Sequence, residues 1–521
     1  MFSARPIALA LTTIFCGCLP MPRPVPLTAV KSPQIAVPPA PADGSMFGYL
    51  KFRDLSKLAT GLGADKLAAV RGLKLDDLRL GQATAAFLWD PGLGFQRIPL
   101  VALIPAPLTS SLMSAVSALI GKDHLKEIGS GYSLLTLTPD GAQEAHDPQA
   151  LLSLTERPMD ADVQMYIQMR AVMDRYGTMM ETMLAAMPLE GKSSTDSQKA
   201  MATMVRGLMR SAVEWVKGLD LFSIGFSELP TEKEMTFLTK ERGVQASTAV
   251  RQTGNLIKFL PAADIRVQTD NWNTSALFNL MTQKIYGPLM PAPLFKRFDA
   301  LFGEFAKDSG ASHAAASLSF TGGKFQMLNV TLWPNAAKQM ETTRQLNDLM
   351  SDPAFTEVFR QLGMAMTYKA QRNARKHAGI SVDRYEFHSQ PTNGTNAQQM
   401  ELERTFGSYS VEWMRFGPYL VTAMNQTPTA LDALADALIS GQGNGASLKS
   451  SASFPGGGFF YCDIDMKRLV DDLRSIFPNE LKFKQLTLPD GIPPITVSGY
   501  ESGDLHSYRL RVPHELENTF K

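Results

Sequence analysis

A hydrophobic period of two gives way to a period near 3.6 across residues 459–477, and the same switch recurs along the chain. Phe460, Cys462 and Ile464 alternate with Phe459, Tyr461 and Asp463, which predicts a strand. Met466, Leu469, Val470, Leu473 and Phe477 then share one helical face, with Lys467, Arg468, Asp471, Asp472 and Arg474 on the other. Asp465 stands at the switch, where a carboxylate accepts the unpaired amide protons of a first helical turn. Comparable strand starts fall at 47–52, 161–167 and 263–267. The last two share an Ala-Asp-apolar-polar-apolar order, a modest internal-repeat signal.

Hairpins are predicted where alternating runs flank turn residues. They pair 84–89 with 98–104, the two arms of 124–137 around Gly129-Ser130-Gly131, and 221–227 with 234–239. Further pairs are 318–320 with 326–333 across Gly322-Gly323, 364–371 with 380–388, 408–416 with 419–424, and 496–500 with 505–512. Helical spacing fills 55–62, 108–119, 169–186, 198–217, parts of 277–305, 336–350, 353–362, 397–405 and 429–439. Four copies of strand, helix, hairpin, helix follow. The expectation is an α+β fold of repeated β-α-β-β-α units, mainly antiparallel sheets with helices packed on one face, in two lobes of 46–258 and 259–521.

The start of the chain departs from this pattern. Residues 1–18 carry Arg5 and then a short apolar run, too short to span a bilayer at roughly 20 residues, which reads as a signal peptide. The run ending Gly17-Cys18 resembles a bacterial lipobox, which implies lipidation of Cys18; ordinary cleavage nearby is the other reading. Residues 19–45 are proline-rich and predict an extended, semi-rigid tether. This places the body outside the cytosol, in a bacterial periplasm or at the outer membrane, touching membrane only through an N-terminal anchor.

Composition narrows the partners. The chain has 521 residues with 51 basic and 50 acidic side chains, so it lacks the basic surplus that nucleic-acid binding needs. Two of its three cysteines, Cys16 and Cys18, lie in the leader, which leaves Cys462 alone in the body and no disulfide within it.

Candidate chemistry is sparse. The seven histidines form no HxH, HExxH or HxxxH spacing, so no metal or cofactor is expected; His506 and His514 could approach across the last hairpin. Asp463 and Asp465 could bind a cation, but a polar strand end and a helix cap account for both. Cys462 reads as a small core side chain. Gly441-Gln442-Gly443-Asn444-Gly445 lacks the lysine of a phosphate loop, and no Gly-x-Ser-x-Gly elbow occurs. Methionines crowd 159–209, with Met169 and Met173, and Met180, Met183 and Met187, at helical spacing. Core filling is the plain reading of these; an apolar ligand groove, or Cu(I) held by thioethers, are the alternatives. Lys369, Arg372, Arg375, Lys376 and Arg384 surround one hairpin, read as a charged edge or as a surface for an anionic envelope polymer or lipid.

The tether after a leader, the strand–Asp–helix units at 49–54 and 461–465, and the terminal Leu510-Arg511-Val512-Pro513-His514-Glu515-Leu516 together resemble a family of uncharacterised exported bacterial proteins. That resemblance carries no catalytic residue. The functional expectation is an exported envelope protein that binds or scaffolds an unknown envelope partner without catalysis. Alternatives are a carrier of a lipophilic ligand in the Met-rich groove and a hydrolase whose site forms only in space.

Overall fold

The computed structural model describes residues 28–30, 35–41, 44, 46–54, 81–89, 100–105, 125–136, 148–157, 159–187, 196–242, 251–253, 255–270, 282–283, 287–307, 312–361, 364–391, 407–443, 458–477 and 486–520. The leader with Cys18, and the helices expected at 55–62, 108–119 and 397–405, lie outside the described residues.

One sheet of 18 strands runs through the described body. Strand β2 (Met46–Phe52) pairs with β3 (Ala83–Leu88), and β3 with β4 (Leu100–Pro105). Next come β6 (Tyr132–Thr136) and the edge strand β5 (Leu125–Gly129). On its other side β2 pairs with β7 (Val163–Ile167), followed by β8 (Leu219–Glu228) and β9 (Glu232–Glu241). Strand β9 then takes the last strand of the chain, β20 (Leu505–Pro513), as its neighbour. Beyond it lie β19 (Ile495–Ser502), β18 (Gly458–Ile464), β11 (Ile265–Asp270), β12 (His313–Ser319) and β13 (Gln326–Leu332). The row ends with β17 (Tyr419–Met424), β16 (Ser408–Phe416), β15 (Ile380–Pro391) and the edge strand β14 (Met364–His377). Each of these pairings is antiparallel. A separate short ribbon joins β1 (Thr28–Val30) to β10 (Arg251–Thr253).

This architecture overturns the expected α+β arrangement of repeated β-α-β-β-α units in several sheets, with one covered face and two lobes. The proposed boundary near residue 258 is crossed by the β9–β20 pairing, which runs from Leu505↔Lys240 to Pro513↔Glu232. Nor do the helices keep to one face. On one side, α4 (Ala292–Lys307), α5 (Ala336–Met350) and α6 (Pro353–Gln361) pack over Tyr385, Phe387, Val411 and Trp413. On the other, α7 (Pro428–Ser440) and residues 256–260 pack over Val382, Met414 and Phe416. Alternate residues of β15 and β16 thus enter different cores. Burial on both faces matches the uninterrupted run in β17, all six residues of which are buried.

The rest of the frame is local. Helix α1 (Pro148–Glu156) covers β3 and β4 through Leu151 and Leu152. The long pair α2 (Met169–Ala186) and α3 (Asp196–Lys217) pack on each other, and Leu208 of α3 reaches the core formed with α4 and α6. Helix α8 (Met466–Ile476) follows β18 as the sequence predicts: Asp465 caps it, accepting from Arg468 N at 3.0 Å. Helix α9 (His514–Phe520) closes the described chain. Part of the proline-rich stretch lies on the sheet, with Pro38 and Pro41 buried and Tyr49 Oη donating to the Pro39 carbonyl at 3.0 Å.

Candidate functional site

The most concentrated buried chemistry lies along β11 and the residue before it. Asp264, Arg266, Gln268 and Asp270 occupy alternate positions, and three of them, Asp264, Gln268 and Asp270, are at most 1% exposed. At one end Asp270 Oδ1 meets His313 Nδ1 at 2.7 Å across the β11–β12 pair. Gln268 Nε2 donates to Asp270 Oδ2 at 3.1 Å, while Gln268 Oε1 accepts from Ile257 N at 3.0 Å. In the middle, Arg266 forms a two-pronged bond with Asp463 of β18, at 3.0 and 2.8 Å. Burial raises the Asp463 carboxyl above its usual range, and Arg266 pulls it back. At the other end Asp264 Oδ2 accepts from Phe320 N at 3.0 Å. Burial first, and the Asp472 charge as well, raise its carboxyl to about 6, and on α8 Asp472 Oδ2 accepts from the next turn residue, Thr321 Oγ1, at 3.2 Å.

A carboxylate that orients an imidazole is the arrangement general-base chemistry uses. Here the pair is 3% and 0% exposed and ties two neighbouring strands, so its role in this conformation is bracing. Residue types and spacing alone do not mark this row as a site. Its signal was the polar–apolar alternation of Asp264-Ile265-Arg266-Val267-Gln268, a pattern usually belonging to a strand with one wet face.

The residues singled out from sequence are dispersed. Met173 is buried on α2, Met169 and Met180 are half-buried, and Met183 and Met187 are 63% and 40% exposed. The five thus span the range from core to surface. Asp463 is spent on Arg266 and Asp465 on its cap, so the two do not converge on a cation. Among the described residues no group of three or more His, Cys, Asp or Glu could hold a metal ion. His506 faces Glu241 at 3.6 Å, while His514 Nε2 lies 2.8 Å from the Leu229 carbonyl, so these histidines have separate partners. Cys462 is buried, and burial pushes its thiol up to about 12, far from a reactive thiolate.

The basic hairpin is largely neutralised. Arg375 pairs with Glu412 and Asp432 at 2.7 and 2.8 Å, Arg372 with Asp348 at 2.6 Å, and Arg384 with Glu386 at 3.2 Å. It forms the β14 edge of the sheet, which a bulge between Gln371 and Arg375, with Asn373 at φ 54°, distorts away from regular pairing.

Comparison with family models, with curated proteins and with solved structures finds no match to this chain. The site therefore has to be read from its own geometry.

Proposed function

We propose that this chain is an exported cell-envelope protein that binds or scaffolds an envelope partner without catalysis, anchored through Cys18. The observation that supports this reading most is how the buried ionisable groups are spent. Asp270 with His313, Arg266 with Asp463, and Arg344 with Asp383 at 2.8 Å each join one secondary-structure element to another. Charge used in this way rigidifies a frame. The nearly balanced charge supports a partner other than nucleic acid. The resemblance to uncharacterised exported bacterial proteins belongs to the same proposal.

A second reading, carriage of a lipophilic ligand, is favoured by one observation. Met183, Met187 and Trp215, on or next to α2 and α3, are 63%, 40% and 54% exposed, three large apolar side chains open to contact.

Cell fractionation with mass spectrometry of the purified protein tests both. The binding reading expects the chain in the envelope, its mature N-terminus a lipidated Cys18, and a Cys18→Ser variant released to the soluble periplasm. Recovery of the intact leader in the cytoplasm would contradict it. A stoichiometric lipid in organic extracts of the periplasmic variant would favour the carrier.

A further inference from the structure

Residues 35–41 of the proline-rich stretch lie against the sheet, and their burial repeats every third residue. Pro38 and Pro41 are buried. Ile35 is half-buried and packs on the core of Tyr49, Leu154, Tyr166, Leu221 and Leu238. Ala36, Val37 and Ala40 are exposed. A period of three belongs to polyproline II, as two belongs to a strand and 3.6 to a helix. The sequence agrees, because Pro38 and Pro41 are the one pair of prolines three apart within residues 19–45. With Pro38, Pro39 and Pro41 lacking N–H groups, the segment is poorly suited to a strand ladder. A side chain holds it instead: Tyr49 Oη donates to the Pro39 carbonyl at 3.0 Å.

The surface beneath suits such a segment. Tyr49 and Tyr166 are register partners on β2 and β7, and their rings stack 5.3 Å apart at 8° from parallel. Their row continues through Ser223 on β8, Leu238 on β9 and Ser507 on β20, each at most 4% exposed. From outside the sheet, the core around the two tyrosines draws Leu154 of α1 and Ile35 of the segment. Aromatic surfaces of this kind take proline-rich segments, whose preformed polyproline II shape costs little entropy to bind. Burial raises the Tyr49 hydroxyl well above its usual range, so it remains a donor to the segment's carbonyl.

We propose that the Tyr49–Tyr166 face is a binding site for proline-rich polyproline II segments, filled in cis by residues 35–41, and that a partner protein binds by replacing them with a Pro-x-x-Pro segment of its own. The two prolines enter as Pro38 and Pro41 do, and a carbonyl between them accepts from Tyr49. This deepens the binding reading above by giving the chemistry of the partner, and it rests on that reading only for where the partner is met. Attachment to the chain just before β2 gives residues 35–41 an effective concentration of roughly millimolar. They therefore mask the face from weak competitors.

Fluorescence anisotropy with a labelled synthetic peptide of residues 33–43 tests the site on the full chain. The double variant Pro38→Ser, Pro41→Ser loosens the cis segment and should bind the peptide at least tenfold more tightly than the unaltered chain does. Pro41→Ser alone, a smaller change, should fall between the two. A peptide with serine in place of both prolines should bind the double variant at least tenfold more weakly. Adding Tyr49→Phe to the double variant should weaken the proline peptide about threefold to tenfold, the loss of one hydrogen bond. Failure of the proline peptide to bind either folded proline variant more tightly than the unaltered chain would overturn the proposal, as would equal binding of the serine peptide. Fractionation of the cell reports on export alone, so the two readings fail separately.

Discussion

Lys51 is 3% exposed and donates to the carbonyl oxygens of Leu154 and Arg157, at the C-terminal end of α1. A cation is favoured there by the helix dipole, but burial, with the Arg157 charge behind it, lowers its amine to about 8. The Arg266–Asp463 pair meets the same problem with a matched partner. Removing only the arginine strands a carboxylate that is 2% exposed. Arg266→Met is therefore expected to lower stability by about 3–5 kcal/mol, read by urea unfolding. Replacing both members together, Arg266→Met with Asp463→Leu, should recover most of the loss, because no charge is then left unpaired. Equal destabilisation by the single and double variants would show that packing volume, not charge, sets the cost.

Elements defined by adjacent residues were legible in the sequence. The hairpin β12–β13 turns where Thr321-Gly322-Gly323 predicts it, with Gly323 at φ 74°, and β16–β17 turns at Gly417, at φ 55°. Strand β18, the Asp465 cap and α8 also follow from a change of period. Capping can be isolated: Asp465→Ala should cost about 1 kcal/mol in thermal or urea unfolding, since one amide acceptor is lost at an exposed helix end. A change of more than about 3 kcal/mol would mean that Asp465 carries weight beyond capping. What local pattern could not convey is what lies above a face. The alternation of β11 reads as one wet side, yet Gln268 and Asp270 are fully buried, because residues 256–260 and β12 supply their partners. The candidate site was hidden for that reason. Its members come from β11, β12, β18 and α8, and only the pairing of strands far apart in sequence assembles them. Helical spacing places Met180, Met183 and Met187 on one side of α2 and its C-terminal end, but it does not convey their exposure: Met180 is half-buried, whereas Met183 and Met187 are exposed.

At the scale of the whole molecule, the junction of β9 with β20 decides whether there are two bodies or one. Strand β9 belongs to the first half of the chain and β20 to its end, and no periodicity in either names the other as neighbour. Ion pairs mark the register. Arg511 meets Glu234 at 2.8 Å and Glu232 at 3.4 Å, and Lys240 meets Asp504 at 3.6 Å. Partly exposed pairs contribute at most about 1 kcal/mol each, so they select the register more than they hold the seam. The seam is held by its ladder and by Leu238 and Leu505, which join the core around Tyr49 and Tyr166. The continuous sheet thus joins both halves of the chain in one frame.

The most direct test is a disulfide across that seam. Thr236 and Arg509 are direct partners in the β9–β20 register, where antiparallel Cα atoms lie about 4.5–5.5 Å apart, within reach of a disulfide. The double variant Thr236→Cys, Arg509→Cys should oxidise to a single intramolecular crosslink in the folded protein, joining the two tryptic peptides, while native Cys462 stays reduced. A folded double variant in which positions 236 and 509 remain free thiols under the same oxidant would contradict the continuous sheet.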